Sequence, residues 1–528
     1  MKALKIKYLF GVLLLAGFVA GCGDDFFSHP PTGSIVQDTF YQTPEDLFMA
    51  TASLYNIVWF DYNDKATTEL GDAAGGVVRH TVPYYWFRAD GAEPRLNESW
   101  RSLYIVVNQA NNHINNIRTQ TPNTVAEAIM NHRIAEARFM RGAAYLKLAA
   151  VWGNVPIITN TSDLINDPLV PPNRMEDVFR FALLDFEFAA ENLVLDDATG
   201  RVTEWSAKSY LALTHLTMAY HLGSGGNLVQ EHLNAARQYA EDVIQNSPHE
   251  LMPNYADLFK RENNNNSESI FALQWVHGSG YWGAQNSKQA YYAALPALTG
   301  VGDGWGGGHG VSNWTFDLLG GASTDDARRK PTYMTRDDHY PELRTAFGGY
   351  THEGGRPNIK KYIVGRPEDN DGQVGFMSTD INTYMMRLAE VYLIAAEAIL
   401  GNNQTTTDAT ALGYLNTVRA RAGVAPKTEI SLMTILEERV RELTMEGRFF
   451  FDLLRVFHKD SQMAINIVDM QQRHMRNQWN GELNDYELIQ DGTPITVTPE
   501  SFRLPIPEAE LTTNPRLREA PVPYDFNK

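Results

Sequence analysis

Glu390 and Glu397 stand seven residues apart in Arg387 to Ala398, a segment rich in alanine and large aliphatic residues. Seven residues is about two helical turns, so both carboxylates share one face, and a pair so placed could serve as acid and base in glycoside hydrolysis. Arginines crowd this half of the chain, Arg419, Arg421, Arg439 and Arg448 among them. The preferred reading is that they neutralise carboxylates whose task is to pack helices. Gly302-Asp303-Gly304-Trp305-Gly306-Gly307 satisfies G-x-G-x-x-G. A dinucleotide site also needs a strand before the glycines and a helix after them, and neither is predicted, so the run reads as a mobile loop beside Trp305. Asp369-Asn370-Asp371-Gly372 has the composition of a calcium loop, but its glycine falls too early and a closing glutamate is missing. A solvated turn is expected there and no metal site is assigned. His-Glu-x-x-His, Gly-x-Ser-x-Gly and Walker sequences are absent, and no cofactor is expected.

The 528 residues contain one cysteine, Cys22, which excludes a disulfide within the chain and a thiolate metal cluster. A composition 43% hydrophobic and 20% charged is that of a globular chain. The formal charge is −18, and it becomes −21 without residues 1–21, which carry Lys2, Lys5 and Lys7 but no acid. Basic residues are interspersed with acids throughout, which argues against a phosphate-tracking groove, and no nucleic-acid partner is expected. The three lysines precede a mostly apolar run from Tyr8 to Ala20. That layout is an export signal, and the run is too short to span a bilayer. Val19-Ala20-Gly21-Cys22 resembles a bacterial lipobox, which implies cleavage before Cys22 and acylation of its thiol and new amine. Residues 1–21 are then a signal peptide and Cys22 a lipid anchor. Asp24 and Asp25 resemble the acidic tether that some Gram-negative bacteria use to send lipoproteins to the cell surface.

The elements that would position any site are mainly helices. Leu103, Val107, Ala110, Ile114 and Ile117 recur at steps of three and four and predict a helix over Asn97 to Ile117. Ala137, Met140, Ala144, Leu148 and Val151 do the same for His132 to Val151, with Glu136, Arg138, Arg141 and Lys147 on other faces and Gly153 and Pro156 as the stop. Further helices are predicted near Glu176–Leu193, Ser206–Leu222, Asn234–Ile244, Tyr384–Leu400, Leu412–Arg421 and Met433–Leu454, and one strand over Ser269–Val276. Paired, alanine-rich helices suggest an all-α scaffold of hairpins like tetratricopeptide repeats, without a countable period. Between Lys260 and Gly375, Asn263 to Asn266, the glycines from Gly302 to Gly310, and scattered Pro, Trp and Tyr interrupt any long helix. An irregular, loop-rich lobe with little strand is expected over 260–380, between a helical region at 22–259 and closing helices, the C-terminal region as a whole being 260–528.

The stretch from Glu136 to Thr159, E-A-R-F-M-R-G-A-A-Y-L-K-L-A-A-V-W-G-N-V-P-I-I-T, resembles the hallmark segment of the SusD/RagB family of surface lipoproteins. Gly200-Arg201 with the helix from Ser206, Ser267 to Ala272, Arg387 to Ala398, Glu438-Arg439 through Glu442-Leu443, Glu446-Gly447-Arg448, Asp452 to Arg455, Leu504 to Pro507 and Asn514-Pro515 resemble later family segments in order. Trp152 stands where the family more often has tyrosine, and the Q-N-P-x-Y ending is missing. The resemblance implies a tetratricopeptide-like fold and attachment to the outer face of the outer membrane. It also implies a SusC-like TonB-dependent transporter as partner, on which the lipoprotein sits as a lid that captures an oligosaccharide or, in RagB-like members, a peptide.

Capturing a sugar without reaction calls for flat aromatic faces and polar groups for hydroxyls. Of ten tryptophans, Trp100, Trp152, Trp205 and Trp275 lie in regular apolar patterns and are expected in the core. Trp59, Trp86, Trp282, Trp305, Trp314 and Trp479 lie among Gly, Asn, Asp and Tyr, where loops would expose them. Trp86, Trp282 and Trp305 are the chosen ligand contacts, with Arg88, Asp90, Asn286 and Asp303 as polar companions. The reading is a non-enzymatic binder, set against a peptide-binding lid, a secreted hydrolase and a structural scaffold. If Cys22 is the anchor, Cys22→Ser will abolish labelling by radioactive palmitate and move the protein from the membrane fraction to the soluble one.

Overall fold

In the computed structural model, residues 40–278 and 283–527 are described; Cys22 and Trp282 lie outside them. Eleven helices form the frame: α1 Pro44–Ala52, α2 Pro94–Gln120, α3 Glu127–Trp152, α4 Met175–Asn192, α5 Glu204–His221, α6 Gln230–Asn246, α7 Leu388–Leu400, α8 Ala409–Arg421, α9 Leu432–Leu443, α10 Phe449–Lys459 and α11 Ser461–Met470. From α2 to α8 each helix packs on the next, and α1 lies on α3, so neighbours cover one another's apolar faces as hairpin arrays require. Strands are short and paired two by two: β1 Ser269–Leu273 runs antiparallel to β2 Thr383–Arg387, and β3 Met475–Asn480 to β4 Asp485–Gln490. A second, smaller apolar cluster, including Phe259, Tyr292, Leu298, Tyr333 and Tyr362, underlies the irregular lobe.

Two expectations change. The segment expected as one helix from Met433 to Leu454 breaks at Thr444–Arg448, where Met445 and Gly447 take positive φ of 67° and 74°. A Cβ on Gly71 would lie 2.4 Å from the Cα of Gly447, so two backbones touch where the chain turns. The helix expected from Tyr384 begins only at Leu388, because Thr383–Arg387 pairs with β1. The polar residues Glu136, Arg141 and Lys147, on the other faces of α3, are buried as well. Glu136 accepts hydrogen bonds from Thr51 Oγ1 at 2.7 Å, Tyr55 OH at 2.6 Å and Arg201 Nη1 at 2.9 Å, while Arg141 pairs with Asp185 of α4 at 2.8 Å. Where Gly142 sits, a Cβ would come within 3.1 Å of the Phe186 ring, so α3 and α4 pack closely.

Beneath the lobe, buried arginines and a lysine share carboxylates in a network. Arg387 donates to Glu268 at 2.7 Å and to Glu446 at 2.9 Å, and also reaches Glu442. Arg421 pairs with Glu268 and Glu442, Arg328 with Asp326, Glu438 and Glu442, and Lys361 with Glu446 at 2.7 Å. Glu390 is held by Arg439 at 2.9 Å and Arg448 at 3.0 Å, and Glu397 by Arg455 at 3.1 Å. The two carboxylates on one helix face are thus packing groups, as expected. Two of the four suggested arginines, Arg419 and Arg421, serve Glu438, Glu268 and Glu442 instead. Burial alone would raise the carboxyl of Glu446, but Arg387 and Lys361 outweigh it and hold the group at about 2.

Removing one partner from such a cluster leaves uncompensated buried charge, which costs about 3–5 kcal/mol. Arg387→Ala will lower the urea midpoint by a corresponding amount. Because the folded pKa of Glu446 is depressed, its contribution is fully present above its ordinary value of 4.5 and lost as pH falls through about 2; acid titration of unfolding will show the wild-type loss in that window and a shallower one in Glu446→Gln.

Candidate functional site

The Gly-rich run forms a turn pressed onto the short helix Lys288–Tyr292. Trp305 N donates to Ala290 O and Gly306 N to Ala293 O, both at 2.8 Å. A Cβ at Gly306 would lie 2.4 Å from Tyr292 O, and Gly304, at φ 103°, would place one 2.7 Å from Leu295 O. These two glycines are required by close backbone approach. The contacts push Trp305 outward, to 45% exposure. Two further rings flank it: Tyr291, with centroids 5.5 Å apart and planes at 56°, and Phe376, 5.7 Å away at 76° and 41% exposed. Lys65 lies 5.6 Å from the Tyr291 centroid. The result is a solvent-facing aromatic platform with a cation at its edge.

Two chosen companions of the tryptophans turn inward, so their expected role as ligand contacts is corrected. Asn286 is buried: its side chain accepts from Asn63 at 3.1 Å and donates to Ile381 O at 2.7 Å. Its backbone exchanges hydrogen bonds with Thr379 at 2.9 and 3.0 Å. Asp303 is also buried, and its Oδ2 accepts the Met377 N–H at 2.7 Å. Burial raises the Asp303 carboxyl above its ordinary range, an effect that the Met377 hydrogen bond opposes. Both residues grip the hairpin Val374–Gly375/Ser378–Thr379 whose tip carries Phe376. They position the platform rather than line it.

Trp86 is half-buried in the turn Pro83–Trp86, edge-on to Tyr85 at 5.1 Å, with the exposed Arg88 guanidinium 5.9 Å from its centroid. Asp90 is exposed and caps its own turn by accepting from Ala92 N. Arg473 is buried without a carboxylate among the described residues. It donates to Tyr85 O at 2.7 Å and Ala74 O at 2.9 Å, which fixes the turn. Strand pairing of Val78–Arg79 with Gly310–Val311 links the segment bearing Trp86 to the one bearing Trp305, and His80 stacks on His309 with centroids 3.7 Å apart. Burial lowers both imidazoles below their usual pKa, which disfavours charge on either ring of the stack. Of the other tryptophans expected in loops, Trp59 is fully buried beside Tyr62, and Trp314 is buried against Phe449. Trp152, expected in the core, is half-buried and donates to Pro505 O at 3.1 Å.

Beside the platform opens a cleft of about 600 Å³ whose walls include Leu295, Gly307, Arg344, Glu353, Arg356 and Gln478.

Comparison with known proteins fixes the family. Residues 342–522 match the model described as "SusD family", and residues 53–212 the one described as "Starch-binding associating with outer membrane". A SusD-like protein of Bacteroides ovatus is 37% identical over 552 aligned residues, covering 100% of both chains. The chain belongs to the SusD family. "SusD-like protein P25" of Formosa agariphila is 24% identical, with 98% of each chain covered. A crystal structure described as being with xylogluco-oligosaccharide matches this SusD family member with TM-score 0.84 and 35% identity, covering 91% of this chain and 100% of the other. The helical-hairpin fold expected from the sequence is the fold of its relatives. Among the described residues, no helix is long and apolar enough to cross a membrane.

Tyr291 and Phe376 were not singled out by sequence; Tyr291 is one of a tyrosine pair and Phe376 follows a glycine, and only the fold brings them to Trp305. Because Gly306 has no room for a side chain, Gly306→Ala will displace Trp305. The near-ultraviolet circular dichroism and tryptophan emission will change while the far-ultraviolet helical signal stays within error of wild type.

Proposed function

We propose that this protein is a cell-surface lipoprotein, anchored through Cys22 in the outer membrane, that captures a β-glucan oligosaccharide of the xyloglucan class. It would pass the ligand to a SusC-like TonB-dependent transporter. The observation that carries the reading is the braced platform of Tyr291, Trp305 and Phe376. Exposed aromatic faces suit the apolar C–H side of a pyranose, and the platform needs no reorganisation to receive it. The relative bound to xylogluco-oligosaccharide, at 35% identity over nearly the whole chain, supports the choice of glycan. The reading involves no bond cleavage: Glu390 and Glu397, the one pair considered for acid–base work, are each committed to buried arginines. Trp86 and Trp282 are proposed to extend the contact surface, with Arg88 and Asp90 at its rim.

Stacking that removes about 100 Å² of apolar surface from water is worth about 2.5 kcal/mol. Trp305→Ala with Phe376→Ala will therefore weaken xyloglucan retardation in native gels by at least ~50-fold. No new reducing ends will form with either protein. Unchanged retardation would remove the platform from the site; new reducing ends from purified protein would replace the binder with a hydrolase. Copurification from detergent-solubilised outer membrane tests the transporter partnership, and peptide instead of sugar in that complex would favour a peptide-binding lid.

A further inference from the structure

The cleft next to the platform carries a charge pattern opposite to that of the molecule. Overall the chain holds 63 acids against 45 Lys and Arg, yet this wall presents Arg344 and Arg356 against one carboxylate, Glu353. Among the described residues, neither guanidinium has an ion-pair or side-chain hydrogen-bond partner, whereas Arg387, Arg421 and Arg328 of the core are each matched to carboxylates. Nor is Arg344 loosely placed. Its backbone sits at φ 58°, and Asp369 holds it there by accepting Arg344 N at 2.8 Å, Thr345 N at 2.7 Å and Arg366 N at 2.9 Å. Phe347, 63% exposed, lies against the guanidinium at 4.9 Å. A guanidinium held in place is a planar fork of donors that matches a carboxylate two bonds at a time. The cleft's volume of about 600 Å³ falls within the roughly 300–1,000 Å³ of small-molecule sites. It shares Gly307 and Leu295 with the Trp305 turn, so a chain of sugars lying on the platform leads into it.

We infer that this cleft is a second subsite, in which Arg344 and Arg356 bind the carboxylate of a uronic acid residue carried by the oligosaccharide on the platform. The inference rests on the glycan-binding reading above and adds a preference that the overall acidic charge would not suggest. Gln478 and the exposed Glu353 supply acceptors and donors for the sugar's hydroxyls.

The test is calorimetric titration with cellohexaose and with cellohexaose in which one residue is oxidised at C6 to glucuronate. A charge-assisted pair of this kind corresponds to ~10-fold in affinity. The acidic ligand will bind the wild-type protein about 10-fold more tightly at low salt, and high salt will shrink the advantage. Arg344→Gln with Arg356→Gln will lose the advantage and keep the affinity for the parent. Arg356→Gln alone, on an exposed side chain, will lose part of it, which keeps the test open if the double variant misfolds by circular dichroism. Equal affinity for the two ligands, or an advantage that survives both substitutions, overturns the subsite and leaves the platform standing. Binding of neither ligand overturns the platform and the subsite together.

Discussion

Glu442 accepts from three arginines, Arg387, Arg421 and Arg328, at a point where Glu442, Arg387 and Arg328 are fully buried and the Arg421 side chain nearly so. Desolvating so many charges is expensive unless geometry and hydrogen bonding are complete, and here the partners come from β2, α8, α9 and the lobe. Any arrangement that moves one of these elements leaves a bare ion behind. Glu268, at the head of β1, joins the cluster through Arg387 and Arg421, while Glu446 reaches Lys361 in the lobe. The break between α9 and α10 follows from this demand. The chain turns through Met445 and Gly447 so that Glu446 points inward, and Asp72 secures the turn by accepting their N–H groups at 3.2 and 3.0 Å.

The platform depends on that fixed base. Loops positioned by a rigid scaffold can present side chains that the scaffold itself must bury, and the lobe does so in steps. β2 continues into α7 on one side, and its Thr383, with Ile381 just before it, holds Asn286 on the other. Asn286 pairs with Thr379, Asp303 caps Met377, and the hairpin between them lifts Phe376 to Trp305. Preorganised aromatic surface binds without an ordering cost, which suits the proposed capture and release of an oligosaccharide. The Trp86 turn is fastened by different means, through buried Arg473 donating to carbonyls of two segments.

Helices with a 3.6-residue stripe were legible, with boundaries within a few residues for α2 to α6 and α8, because their apolar faces meet neighbouring helices directly. The sequence did not reveal where long-range partners override local pattern: Thr383–Arg387 has helical neighbours but pairs with β1, and Met433–Leu454 is apolar enough for one helix but is broken by the turn at Glu446. For the site, glycine density pointed correctly to an exposed Trp305. Asn286 and Asp303 were misread because a polar residue near an aromatic one can face ligand or brace a loop, and spacing does not distinguish the two. Trp59 and Trp314 show the converse: loop-like neighbours, buried rings. Tyr291 and Phe376 carried no local signal, since their proximity to Trp305 exists only after the lobe has folded.

The central claim is that a rigid helical frame holds an aromatic platform outward to grip a glycan it does not cleave. A crystal structure of the protein with a xyloglucan-derived oligosaccharide tests it most directly. The account predicts an intact pyranose chain lying face-on to Trp305, with Phe376 and Tyr291 alongside and the backbone of the lobe unmoved. Sugar bound elsewhere on the helical frame, or a cleaved product in the cleft, would contradict it.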